Sequence, residues 1–412
     1  MMADIVRPLA LAGSLLGRFW PQLLLIGALG FIVRDLLLMG AVAVGQQNAL
    51  GGMVVLSLVV LTKLMVVVMM FAALRPGMPA LAALRQQATV ATTEDRPAAG
   101  DHMLAVTAAA ILPFFAYYAA WGFLGDTVRE YSRLALQRVS FGEKLNIFNF
   151  AQSQAMVAAI AACWAVRWFA KRMNARARRP YWRLLVVAAD ATWIFIGLYA
   201  LGVWKNEFIT WIGAGAILQS LGESLSLTAH AAGGFTPVEF RPAPLFDQLQ
   251  RLFFYALLPL VWLVMAAIIN GYELSAATAP LPAGTSRADT WRKWFKDFVK
   301  HFVGGYRSRY QPIWTCLRLT LSSGLATLIA FVVAYRALSW LGAWLWYGAT
   351  RTIGVDDLAT WQVIANVLDV FIGSPSDLDG GILLDAARIA LLAAVLEHAV
   401  ATQRTRTEAL AT

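Results

Sequence analysis

Residues 19–44 and 52–74 are two apolar stretches joined by the uncharged turn QQNALGG, and each is long enough to cross a bilayer. At about 1.5 Å of helical rise per residue, roughly 20 residues traverse a hydrocarbon core about 30 Å thick. Comparable stretches recur at 103–125, 151–170, 184–204, 252–270, 313–338 and 382–400. In lipid every backbone N–H and C=O must be satisfied inside the segment, so runs of this kind specify helices. No stretch alternates as the strands of a membrane barrel do. The sequence therefore predicts an all-α, polytopic membrane protein: a single transmembrane domain over 1–412, with about eight transmembrane helices and several interfacial ones.

Composition excludes the soluble alternative. Hydrophobic residues make up 59% and charged residues 14%, against roughly 45–50% and 25% in soluble domains. The net charge of +10 could suit a nucleic-acid partner, but the basic residues crowd into a few short connections. The densest group is Arg167, Lys171, Arg172, Arg176, Arg178, Arg179 and Arg183, with no acidic residue among them. Such bias sets membrane orientation. It makes this connection and both termini cytoplasmic, and no nucleic acid is expected. Frequent Ala and Arg point to a bacterial cytoplasmic (inner) membrane. The first 20 residues lack a cleavage site, so no removable signal peptide is expected, and 5–18 read as a surface lead-in to the first span.

Two connections have their own character. The extracytoplasmic connection 205–251 is apolar but broken by glycines over 208–221, as a re-entrant or interfacial segment would be. In the cytoplasmic linker 271–312, Trp291, Trp294, Phe295, Phe298 and Phe302 recur at helical spacing, with Lys293, Lys296 and Lys300 opposite. That is a basic amphipathic helix suited to anionic lipids on the cytoplasmic side. A second interfacial helix is expected within 126–150, carrying Arg129, Arg133 and Arg138.

The chemistry lies in charges inside the spans. Arg34, Asp35 and Lys63 fall at mid-membrane depth, where an uncompensated charge costs about 2.5 to 3.5 kcal/mol. Asp35 and Lys63 both sit about 13 to 17 Å from the outer ends of their spans, so an antiparallel hairpin brings them together. The pair either brackets the hairpin or lines a pathway. Successive helical residues point about 100° apart, so Arg34 cannot share the direction of Asp35 and needs a carboxylate, carbonyl, water or ligand of its own. By the same depth argument Asp190 and Arg318 could meet near the inner third of the membrane. Asp385 and Arg388, three apart, share one helix face and pair locally. Ala386, Ala387, Ala390, Ala393 and Ala394 around them form a small-residue surface suited to a protein partner or a second copy. Pro113 and Pro259 kink their spans.

Little points to catalysis. Glu223, His230 and Glu239 form a candidate extracytoplasmic site beside Ser224 and Ser226. No HExxH, GxSxG, Walker or dinucleotide pattern accompanies them, and Cys163 and Cys316 lie in or beside spans with no metal-ligand spacing. No catalytic residue, metal or cofactor is expected. The leading expectation is a transporter or transport-associated subunit that handles a lipid-like or amphipathic molecule. The alternative is a non-catalytic scaffold or assembly subunit of a larger membrane complex.

Overall fold

Asn48 alone separates the first two helices, α1 (Met2–Gln47) and α2 (Ala49–Leu74). It leaves helical geometry, and its side chain accepts the N–H groups of Leu50 and Gly51 at 3.0 and 3.1 Å, satisfying the otherwise open start of α2. The turn can be this tight because Gly45 and Gly52 face one another. A Cβ on Gly52 would lie 2.7 Å from the Gly45 Cα. This computed structural model describes residues 2–83, 106–108, 110–111, 114–115, 118, 123–138, 153–177, 180–213, 245–276, 325–354, 357–373 and 381–411.

The remaining bounded helices are α3 (Phe123–Gln137), α4 (Ser153–Ala177), α5 (Pro180–Gly213), α6 (Leu245–Ala276), α7 (Leu325–Ile353), α8 (Leu358–Ile372) and α9 (Ile382–Ala411). The described residues contain no strand. Among the described residues, four helical stretches are long and apolar enough to cross a membrane: Val6–Gln47, Ala49–Gly77, Trp182–Tyr199 and Ala326–Ile353. Tyr255–Asn270 and Leu358–Ile372 are shorter apolar helices.

The first helix differs from the expected lead-in plus span. It is one 46-residue helix that runs through Pro8 and Pro21, about 69 Å long at 1.5 Å per residue. Packing explains the continuity. α2 ends at Leu74, where Arg75–Gly77 form a 3-10 turn around Pro76, and that turn tucks against Leu15 and Phe19 of α1, both buried. The stretch of α1 from Leu11 to Phe19 is thereby packed into the core.

The outer face of α1 shows what solvent the fold requires. Leu25, Leu29, Ile32 and Leu36 recur at helical spacing and are all more than half exposed, while Leu23, Leu38, Ala41 and Val42 are fully buried. Ile329 and Val333 on α7 repeat the pattern. Apolar stripes left uncovered in this way are stable against lipid, not water. Farther along α7, Trp340, Trp344 and Tyr347 stack in sequence at 5.6 and 5.5 Å, an aromatic ladder of the kind found at membrane interfaces.

The last helix occupies the middle. α9 packs against α1, α2, α6, α7 and α8, and every residue from Leu391 to Leu396 is buried. Glu397 is only 4% exposed, yet its carboxylate is satisfied: it accepts the backbone N–H groups of Ala80 at 2.5 Å and Leu81 at 3.0 Å. The chain beyond α2 is thus fastened to the end of the molecule across 317 residues of sequence. Ala386, Ala390, Ala393 and Ala394 are buried within this same bundle. Four of the five alanines of the small-residue surface therefore pack inside the chain's own bundle.

α4 and α5 form a second hairpin, joined to the first by a buried hydrogen bond of 2.8 Å between Ser57 on α2 and Thr192 on α5. Phe115 meets Phe195 edge to face, and Phe114 does the same with Trp262 of α6.

Candidate functional site

The hairpin register decides which charges meet. Gly45 contacts Gly52, Gly30 contacts Val66 and Gly27 contacts Met70. Carried along the hairpin, this register puts Arg34 level with Lys63, and Asp35 level with Thr62. Among the described residues no ion pair joins Asp35 to Lys63; the Arg34 guanidinium instead pairs with Glu130 of α3. The Asp35–Lys63 bracket fails by one residue, which on a helix is a change of direction of about 100°. Of the partners open to Arg34, a carboxylate, a carbonyl, water or a ligand, Glu130 supplies the first. α3 reaches it because Tyr131, 2% exposed, lays its hydroxyl over the Gly45–Gly52 turn.

Arg34, Lys63 and Glu130 line one cavity of about 470 Å³, together with parts of α1, α2, α6, α7, α8 and α9. Its size falls within the range of roughly 300 to 1,000 Å³ common for small-molecule sites. The other charged groups on its wall are Arg336, Asp369, Asp385 and Arg388; the apolar part includes Phe31, Val66, Met70, Leu258, Trp262, Ile389 and Leu392. Lys63 lies 6.0 Å from the Tyr118 ring.

Arg336 owes its place to a proline. Pro259 has no N–H, so within α6 it cannot donate to the carbonyl four residues earlier, that of Tyr255. The Arg336 guanidinium from α7 fills this gap, with Nε donating to the Tyr255 carbonyl at 2.9 Å and Nη2 donating to the same oxygen. It also stacks on the Tyr255 ring, 3.5 Å from the centroid. The missing N–H of Pro259 therefore has a specific consequence: it leaves an acceptor that holds an arginine at the cavity wall.

Arg388 is held from three sides. Its Nη1 lies 3.3 Å from Asp385, the local pair expected from the spacing. Its Nη2 donates to Ser339 Oγ at 3.2 Å, and its guanidinium stands 5.6 Å from the Tyr335 ring. Where α8 gives way to α9, Trp346 donates its indole N–H to the Gly373 carbonyl. A side chain on Gly381 would collide with the backbone of residues 371–373, so glycine is required at that crossing.

Asp190 is placed elsewhere. It pairs with Arg167 of α4 and accepts from Trp193 Nε1 at 3.2 Å, away from the cavity lining. Its proposed partner Arg318 lies outside the described residues. So do Glu223, His230 and Glu239, and so do Trp291, Lys293, Trp294, Lys296 and Lys300 of the basic amphipathic helix. Asp35 is absent from the cavity wall. The residues that sequence reasoning missed are Glu130, Arg336 and Asp369. Only Arg336 had a local signal, the carbonyl that Pro259 frees on a neighbouring helix.

The arrangement can hold a molecule with both polar and apolar parts. No known protein family, curated protein or solved structure matches the chain.

Proposed function

We propose that the chain is an inner-membrane transporter or transport-associated subunit that binds a lipid-like or amphipathic molecule in this cavity. In this reading it crosses the membrane about eight times with both termini in a bacterial cytoplasm. The carrying observation is the cavity wall, where seven charged side chains share about 470 Å³ with aromatic and aliphatic groups inside a bundle whose outer stripes suit lipid. Charged side chains within a membrane bundle face an interior or a water-filled cavity and mark a pathway for substrate or ion. Aromatic and aliphatic walls add contact area for an acyl or similar chain.

Native mass spectrometry of the full chain in mild detergent tests this. The parent is expected to retain molecules of lipid mass. Ala343→Trp, which adds bulk to an exposed position on the cavity wall, is expected to lower that retention at least about fivefold while leaving the fold intact, a change of roughly 1 kcal/mol. Retention by neither protein, or equal retention by both, overturns the reading.

A further inference from the structure

We infer that the cavity fills sideways: an acyl chain of a bilayer lipid enters through a mouth on the flank of the bundle, bordered by α6, α7 and α8, and Trp340 gates it. This rests on the amphipathic-ligand reading above and adds the phase from which the ligand comes and the route it takes.

The wall has a closed side and an open one. Val67 of α2, Leu258 of α6, and Leu384 and Leu392 of α9 line the cavity and are buried. The exposed wall residues are Tyr255 of α6 at 53%, Trp340 of α7 at 63%, Ala343 of α7 and Asp369 of α8. None of them comes from α1, α2 or α9. On α6 the wall passes from rim to interior within one turn, with Tyr255 exposed and Leu258 buried.

Two hydrogen bonds between helices frame the open side. Arg336 ties α7 to the Tyr255 carbonyl of α6 at 2.9 Å, and Trp346 ties α7 to the Gly373 carbonyl at the end of α8. Along α7 these two residues are about 15 Å apart, and Trp340 and Ala343 lie between them. The Trp340 ring leans on Trp344 beyond the wall, with 5.6 Å between centroids. Exposed side chains change rotamer within nanoseconds, so this indole can swing across the opening without moving a helix.

The height of the mouth decides what it opens on. Trp340 lies near the centre of Ala326–Ile353, a stretch of membrane length, with about 20 Å of helix on either side. A molecule arriving from either aqueous face must cover that distance, whereas the chain of a neighbouring lipid meets the mouth directly. The surface around it is apolar: Leu341, Trp344 and Leu345 on α7 and Val367 and Phe371 on α8 are exposed. It continues the stripe of Ile329 and Val333 that is stable against lipid.

The test follows lipid exchange. The full chain, carrying unlabelled lipid, is placed in nanodiscs of deuterated phosphatidylcholine. At timed intervals it is returned to mild detergent, and native mass spectrometry reads the deuterated fraction of the retained lipid. Trp340→Ala is expected to speed exchange about threefold and Ala343→Leu to slow it by a similar factor, within the range over which contact changes alter rates. Trp344→Ala, on the same ladder but off the wall, should exchange at the parent's rate. A general loss of packing does not give opposite signs at two neighbouring positions. Unchanged rates, shifts of one sign, or a Trp344→Ala rate equal to that of Trp340→Ala overturn the mouth and leave the amphipathic cavity standing; no lipid retained by the parent overturns both. The last arm adds water-soluble dihexanoyl phosphatidylcholine from outside. Displacement of the retained lipid at a rate that Trp340→Ala and Ala343→Leu do not alter makes the route aqueous and overturns lateral entry. Failure to displace it, or displacement at rates that follow the two variants, supports entry from the bilayer.

Discussion

Arg34 with Glu130 and Arg167 with Asp190 are both guanidinium–carboxylate pairs carried by helices in an apolar chain. Their side chains are similarly shielded, 23% and 30% exposed in the first pair, 29% and 18% in the second. Their surroundings differ. Arg167 and Asp190 join α4 to the adjacent α5, with Trp193 donating to the same carboxylate, and neither lines the cavity. Arg34 and Glu130 join helices far apart in sequence and face a common volume with Lys63, Arg336 and Arg388. Charge within a membrane helix is therefore not itself the mark of a site. The second pair closes a hairpin, as polar groups in membrane bundles often do, while the first opens on space that a ligand can enter.

The largest effect that would separate the two regions comes from glycines. On α1, a side chain at Gly30 would run into Val66, so Gly30→Leu is expected to destabilise by about 3 kcal/mol through overpacking and to abolish ligand retention. On α5, Gly197 has open space around its Cβ position, and Gly197→Ala should instead raise helix stability by about 0.5 to 1 kcal/mol. Thermal unfolding in detergent, followed by circular dichroism, reads both signs. Effects of the same sign would break the contrast.

Glu397→Ala comes next. It leaves the N–H groups of Ala80 and Leu81 without their buried acceptor, at a cost of about 2 kcal/mol. A melting temperature equal to that of the parent would show that α9 does not fasten the first hairpin.

The pairs themselves sharpen the comparison. Glu130→Gln and Asp190→Asn should each cost about 1 to 2 kcal/mol, less than a fully buried pair because both are partly solvated. Only Glu130→Gln should change lipid retention, since only it alters the cavity wall. Loss of retention in Asp190→Asn alone would invert the assignment.

The smallest expected effect is that of Pro259→Ala. It restores the N–H that Tyr255's carbonyl lacks, which competes with Arg336 for the same acceptor. Lipid affinity should fall by about two- to threefold, under 1 kcal/mol, with stability unchanged or improved.

The helices and their chemistry were legible to different depths. Apolar runs of membrane length announced the helical class. The Asp385–Arg388 spacing and the need of Arg34 for its own partner could both be read locally, because each depends on residues within about one turn of helix. The register of α1 on α2 could not. It depends on Gly45 meeting Gly52 and Gly30 meeting Val66, and a shift of one residue exchanges Asp35 for Arg34 as the neighbour of Lys63. Glu130 reaches Arg34 across 96 residues, and Glu397 reaches Ala80 across 317; no periodicity encodes such distances. The alanines of α9 make a related point. Small residues signal close packing, but their spacing does not say whether the neighbour is the same chain or another.

Cryo-electron microscopy of the full chain in lipid nanodiscs tests the central claim most directly. An elongated density inside the cavity, lying along Leu258 and Leu392, is the expected result. A closed or empty cavity in nanodiscs rich in anionic lipid, with ordered lipid at Arg167 and Asp190 instead, would contradict it.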